Sequence, residues 1–133
     1  MSLTKKKLTI GEVMTSSPYC IDYSQHLFSA KKMMNKSGIR HLPVVDKGEV
    51  VGLISANDIL AAEAVSGRKS SDTIKVKDLC IFEPYVVTED QPLSKVLLHM
   101  AKAKIGSVIV VRDSKVAGIF TTIDACKLLA KLC

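Results

Sequence analysis

Two nine-residue stretches decide the fold: GLISANDIL, Gly52 to Leu60, and GIFTTIDAC, Gly118 to Cys126. In each, a short apolar run meets a glycine. The third residue beyond that glycine carries a hydroxyl, Ser55 or Thr121, and an aspartate follows three further on, Asp58 or Asp124. The β-branched runs Val50 to Ile54 and Val116 to Phe120 read as strands, so Ser55 and Thr121 become N-caps and the aspartates occupy the N3 position of the helix that follows. A helix N-terminus presents unpaired N–H groups and a partial positive charge, which together favour a phosphate. The hydroxyl can donate to a phosphate oxygen, and the carboxylate can accept from two vicinal hydroxyls, as on a ribose. Gly52 and Gly118 lack a Cβ and so admit the close approach of another backbone or of a ligand. A hydroxyl followed three residues later by an acid is also an ordinary capping box, and one copy alone says little.

The motif is not alone, because the whole chain is written twice. A shift of 66 positions, the difference between Gly52 and Gly118, aligns Thr9 to Ser66 with Lys75 to Leu132 without a gap. It pairs Pro18 with Pro84, Tyr19 with Tyr85, Gln25 with Gln91, Met34 with Met100 and Ile39 with Ile105, and sets Val44 and Val45 on Val110 and Val111. The expected organisation is therefore repeat one at 9–66, a linker at 67–74 and repeat two at 75–132. The stretch Gly67 to Thr73, GRKSSDT, is polar and turn-rich.

Each repeat opens with a short helical segment, Ile10 to Met14 or Val76 to Cys80. A loop through Pro18 or Pro84 then leads into a brief strand, Tyr19 to Ile21 or Tyr85 to Val87. Leu27, Ala30 and Met34, like Leu93, Val96 and Met100, recur at three and four residues and make one apolar helical stripe. Gly38 suits the end of the first such helix. Strands at His41 to Val45 and Val108 to Val111 precede polar turns at Asp46 to Glu49 and Arg112 to Lys115. The last helices run from Asn57 and Ile123. The order is β-α-β-β-α, an α/β (α+β) repeat, and about 60 residues bury too little surface to stand comfortably alone.

Composition bounds the rest. The 133 residues are 47% hydrophobic, ample for a globular core, and no apolar run reaches the roughly 18 to 20 residues that span a bilayer. MSLTKKKLTI lacks the apolar core of a secretory signal, which points to the cytoplasm; its Ser2 and Leu3 resemble a cloning scar. Cys20, Cys80, Cys126 and Cys133 form no Cys-x-x-Cys pair, and His26, His41 and His99 are scattered, so no metal ligand set is expected. The formal charge of +6 favours anionic partners. The basic residues are dispersed apart from Lys5 to Lys7 and aromatic residues are few, which argues against nucleic acid. No Walker phosphate loop, nucleophile elbow or His-Glu-x-x-His motif appears, so an enzyme is not expected.

With the duplication, the paired Gly-x-x-Ser/Thr-x-x-Asp endings, IRHLPVV at Ile39 to Val45 and EVMT at Glu12 to Thr15, the chain resembles a tandem pair of CBS domains from about Thr9 to Leu132. The resemblance implies two repeats packed through their sheets with pseudo-twofold symmetry, two clefts each built from both repeats, and regulatory binding of an adenosine compound: AMP, ADP, ATP or S-adenosylmethionine. It places Asp58 and Asp124 on ribose hydroxyls and Ser55 and Thr121 at phosphates, with Thr122, Gly52, Gly118 and Arg40 among the lining residues. It sets the loops around Thr15, Pro18 and Tyr19 and around Ile81 and Tyr85 beside adenine. It implies a homodimer, with any signal passing to a separate effector protein. A ligand-free dimerisation scaffold is the alternative. Arg40 and His41 stand where repeat two has Gly106 and Ser107, so one cleft should carry more cation than the other; His41 itself reads as a strand residue with a packing role. Beyond the core stripes, Leu98 and Phe28 are further apolar residues of the first helices, the expected dimer contacts.

Overall fold

In the computed structural model, which describes residues 7–133, the chain forms two compact units. One consists of Tyr19–Pro84, and the other joins the segment ending at Pro18 to Tyr85–Cys133. The Lys5–Lys7 run lies outside the described residues apart from Lys7, and Ser2 and Leu3 lie wholly outside them.

The first unit holds β2 (Ile21–Asp22), α2 (Leu27–Ser37), β3 (His41–Asp46), β4 (Glu49–Ser55), α3 (Ala56–Ser66), a 3-10 turn (Arg68–Asp72), α4 (Val76–Leu79) and β5 (Ile81–Phe82). Here β2 runs parallel to β3, while β3–β4 and β4–β5 are antiparallel. The second unit holds α1 (Ile10–Val13), β1 (Thr15–Ser16), β6 (Val86–Thr88), α5 (Leu93–Ala103), β7 (Ser107–Arg112), β8 (Lys115–Thr121) and α6 (Thr122–Leu132). Its pairings repeat the pattern: β6 parallel to β7, then β7–β8 and β8–β1 antiparallel. The β-α-β-β-α order expected of each repeat is present in both, and the opening strands begin one or two residues later than the periodicity suggested.

The compact units are not the two repeats. Ile10 belongs by sequence to repeat one, yet it is fully buried in the cluster of Leu93, Val96, Met100, Val108, Val110 and Phe120. Val76 and Cys80 belong to repeat two but complete the core of Leu27, Ala30, Met34, Leu42, Val44 and Ile54. The same hydrogen bonds tie both exchanged segments down. Ile10 N donates to Gln91 O and Leu93 N to Leu8 O, at 2.8 Å each, and the counterparts 66 positions away run from Val76 N to Gln25 O (2.7 Å) and from Leu27 N to Ile74 O (2.9 Å). An opening segment of four helical residues has almost no face of its own to bury, so its stability derives from the body that receives it.

Local chemistry explains the element ends. Gly38 closes α2 in the left-handed conformation, φ 66°, as expected. Lys104 holds the equivalent place after α5 at φ 57° without the freedom of glycine. Both hairpin turns place two successive residues at positive φ, Lys47 and Gly48 or Asp113 and Ser114, which matches the twist of the flanking strands. The GRKSSDT stretch is more ordered than a plain linker: it forms the 3-10 turn and buries Ser70 and Ser71, whose hydroxyls donate to Gly67 O and Arg68 O. No helix among the described residues is long and apolar enough to cross a membrane.

Candidate functional site

Each long hairpin delivers a strand end into a helix start, and there both expected capping boxes form. Ser55 has extended backbone, φ −114° and ψ 158°; its N–H donates to Asp58 Oδ2 at 3.2 Å, and Asp58 N–H donates back to Ser55 Oγ at 3.2 Å. Thr121 repeats this, with Thr121 N–H to Asp124 Oδ2 at 2.9 Å and Asp124 N–H to Thr121 Oγ1 at 3.4 Å. Thr121 Oγ1 also donates to Asp124 Oδ2 at 3.2 Å. Both aspartates are only partly buried. In each, one carboxylate oxygen serves the cap and Oδ1 remains as an acceptor.

The surroundings of the two boxes differ. In the unit with Asp58, the first turn of α3 is fixed to the residue before β3 by Ala56 N–H donating to Arg40 O at 2.8 Å. The exposed Arg40 guanidinium then reaches forward, Nη2 donating to Asn57 Oδ1 at 2.8 Å. His41 lies opposite Ser55 in the ladder and is half-buried. Burial, and then the Arg40 charge, push its imidazole below the usual histidine range, while Asp58 pulls the other way. His41 thus keeps its place in the strand while Arg40 and Asp58 act on its charge in opposite directions. In the unit with Asp124, Thr122 N–H donates to Gly106 O at 3.0 Å, and buried Ser107 stands opposite Thr121.

Gly52 and Gly118 do not open toward a ligand. A Cβ on Gly52 would sit 2.8 Å from Ile81 O and 3.1 Å from Cys80 Sγ, because β5 lies against β4 with Gly52 opposite Phe82 and Leu53 opposite Ile81. A Cβ on Gly118 would meet the Met14 side chain, its Cγ at 2.8 Å, beside the pairing of Thr15 with Ile119. The close approach that both glycines permit is made by the chain itself. Burial raises the Cys80 thiol above its ordinary value, which lowers its thiolate fraction.

Of the residues expected beside adenine, Thr15, Tyr19 and Ile81 are exposed and Pro18 is half-buried. Tyr85 instead leans on its unit's core and turns its ring onto His99, centroids 4.2 Å apart. Sequence reasoning missed the Arg40–Asn57 contact and the opposed influence of Arg40 and Asp58 on His41. Their only trace in the sequence is the departure of Arg40 and His41 from Gly106 and Ser107. A hollow of about 580 Å³ in the unit with Asp124 opens at the hairpin end of β8, by Ser17, Arg112 and Lys115. Thr121 lies at the opposite end of that strand. The described residues include no cluster of metal-ligating side chains.

Comparison with known proteins decides the family, since the CBS domain profile matches residues 10–65 and again 76–131. The chain belongs to the CBS domain family. It is similar to L-aspartate semialdehyde sulfurtransferase of Methanocaldococcus jannaschii, 31% identical over 121 residues, which cover 90% of this chain and 23% of that one. The chain spans about a quarter of the length of the first curated relatives it matches. Among solved structures, it resembles the CBS domain pair of protein MJ0100 in complex with 5′-methylthioadenosine and S-adenosylmethionine, with a TM-score of 0.83, 28% identity and coverage of 96% and 100% of the two chains. An uncharacterized conserved protein from Pyrococcus horikoshii gives a TM-score of 0.81 at 26% identity, covering 97% and 95%.

Proposed function

We propose that this CBS domain pair is a regulatory module that binds adenosine-containing ligands, with Asp58 and Asp124 as the ribose acceptors. The observation that carries this reading is the duplicated capping box, in which each aspartate serves the helix with one oxygen and keeps another for a ligand. The likeness to a domain pair that holds 5′-methylthioadenosine and S-adenosylmethionine supports the same class. Ligand binding acts on a partner or on oligomeric state by favouring one conformation over another. A ligand-free scaffold is favoured by one fact only: the approaches at Gly52 and Gly118 are filled by Ile81, Cys80 and Met14, so the glycines need no ligand to explain them.

Thermal shift and calorimetry with AMP, ADP, ATP, adenosine, 5′-methylthioadenosine and S-adenosylmethionine separate these readings. A ligand at 100 times its dissociation constant adds about 2.7 kcal/mol of stability. Asp58→Asn and Asp124→Asn keep an acceptor for the cap N–H and remove the charge, so each variant should fold normally and lose about 1.5 to 3 kcal/mol of binding. Unchanged affinity in the double variant would refute the ribose assignment. No shift with any of the six compounds would favour the scaffold.

A further inference from the structure

The hollow of about 580 Å³ in the unit with Asp124 is lined at positions where the two repeats differ in size. Its wall includes Gly11, Ser16, Ser17 and Ala117, whose counterparts 66 positions away are the larger Lys77, Phe82, Glu83 and Val51. Glu89 also lines it, where the other unit has Tyr23, and there Lys77 Nζ lies 5.9 Å from the centre of the Tyr23 ring. Gly11 brings no side chain to the aligned place, and a Cβ on it would stand 3.0 Å from Glu89 O.

Charge changes along with size. The β7–β8 turn contributes Arg112, Asp113 and Lys115 to the hollow, and the aligned turn has Asp46, Lys47 and Glu49, so every sign is inverted. Glu89 and Arg112 hold each other, Nε donating to Oε1 at 2.6 Å and Nη2 to Oε2 at 2.8 Å. The charges of Glu89 and, more weakly, Asp113 act on that guanidinium, so two carboxylates share one cation. Lys115 is the other cation. Among the described residues, no hydrogen bond or ion pair engages its ammonium or the hydroxyls of Ser16 and Ser17, and all three residues are exposed. Met14, Val116 and Ala117 give the wall its apolar part.

We propose that this hollow binds a small dipolar ion, an α-amino acid with an apolar side chain, at a site separate from the capping boxes. Two carboxylates and two cations line it, so a ligand with a single charge of either sign meets repulsion along with attraction. A ligand bearing both signs satisfies both sets: Asp113 and Glu89 accept from its ammonium, while Lys115 and the serine hydroxyls donate to its carboxylate. Its side chain lies on Met14, Val116 and Ala117. The volume falls within the roughly 300 to 1,000 Å³ of small-molecule pockets. The inference does not depend on the adenosine reading, since Thr121 and Asp124 lie beyond the opposite end of β8.

Amide NMR titration of the full chain at low ionic strength tests this, with L-leucine as the probe. L-leucine should shift the amides of Gly11, Ser17, Lys115 and Ala117. Isocaproate, which is leucine without its ammonium, and isoamylamine, which is leucine without its carboxylate, should each bind roughly 3- to 10-fold more weakly. Lys115→Gln should weaken L-leucine by a similar factor and leave isoamylamine unchanged. Asp113→Asn, which keeps a residue tolerant of the left-handed turn, should weaken L-leucine and leave isocaproate unchanged. Ser16→Phe installs the aligned residue of the other unit and should abolish L-leucine binding with the thermal melt unaltered. L-leucine should bind equally with and without AMP. The proposal is overturned by an absence of shifts up to the solubility limit of L-leucine, by either singly charged compound binding as tightly, or by unchanged L-leucine affinity in Ser16→Phe and Lys115→Gln. Displacement of L-leucine by AMP would overturn the separateness of the site.

Discussion

The ion pair between Lys31 of α2 and Glu63 of α3 offers a sharp test of how the two repeats solve one packing problem differently. Lys31 Nζ lies 2.8 Å from Glu63 Oε2, and the side chains are 36% and 7% exposed. The positions aligned with them are Leu97, which packs against its core, and Leu129, which is 57% exposed, so repeat two has apolar residues at both places where repeat one has charges. Lys31→Leu leaves a nearly buried carboxylate without its cation. Full burial would make that cost about 3 to 5 kcal/mol, and access of water past the lysine position lowers it to about 2 to 3 kcal/mol. Glu63→Leu strands the more exposed lysine, which can turn to solvent, at about 1 kcal/mol. Lys31→Leu with Glu63→Leu puts apolar residues at both places and should fall within about 1 kcal/mol of wild type, since replacing a buried pair by hydrophobic groups is often neutral or stabilising. The coupling read from urea unfolding should therefore be at least about 2 kcal/mol. At about 3 to 4 °C per kcal/mol, Lys31→Leu should lower the melting temperature by roughly 6 to 12 °C, and the double variant should recover most of it. Additive losses in the double variant would show that packing around each stem, not charge compensation, sets the energetics.

Gly52→Ala should cost about 1 to 3 kcal/mol of stability by forcing β5 off β4, and Gly118→Ala less, because the flexible Met14 thioether can move aside where a carbonyl cannot; equal melting temperatures would contradict this. Because His41 titrates below its ordinary 6.5 in the folded chain, the unfolded chain binds more protons as pH falls, so the stability this residue confers is intact above about pH 6.5 and is lost below it. His41→Gln should flatten that part of the stability profile between pH 7.5 and 5 measured by thermal melts, and an unchanged slope would remove His41 as the cause. Leu98 is 72% exposed and Phe28 52%, as expected of interface residues, and burying each is worth about 1.5 to 3 kcal/mol. The chain should sediment as a dimer at micromolar concentration and shift toward monomer with Phe28→Lys and Leu98→Lys; a wild-type species of 14.4 kDa, or a double variant that stays dimeric, would refute the assignment of these two residues to an interface.

Much of the fold is legible because side-chain periodicity reports burial directly. Leu27, Ala30 and Met34, and Leu93, Val96 and Met100, are all buried as their spacing requires. The hydroxyl and aspartate of each motif form their capping boxes because the partners lie three residues apart, within reach of one helical turn. What the periodicity could not show is the exchange of opening segments. Ile10 and Val76 have the same local pattern whichever body receives them, and a four-residue helix carries no stripe that names its neighbour. The two-residue strands β1 and β5 were equally hidden, since they exist only through pairing with β8 and β4. Such non-local pairing leaves no trace in a short sequence window.

At the candidate site the division between legible and hidden follows the duplication itself. Where the copies agree, as at Ser55 and Thr121 or Asp58 and Asp124, the shared residue reports a local rule that both must obey, and the structure obeys it twice. Where they differ, the sequence shows that a constraint has been relaxed but not what replaced it. Arg40 against Gly106 reads as one extra charge; only the bond to Asn57 attaches that charge to the Asp58 turn. His41 against Ser107 reads as strand filler; the register sets it opposite Ser55, where burial and Arg40 lower its pKa and Asp58 raises it. The glycines show the converse. They agree between copies, yet Gly52 is closed by a backbone carbonyl and Gly118 by a thioether, so agreement at a position without a side chain fixes the available space and leaves its occupant open.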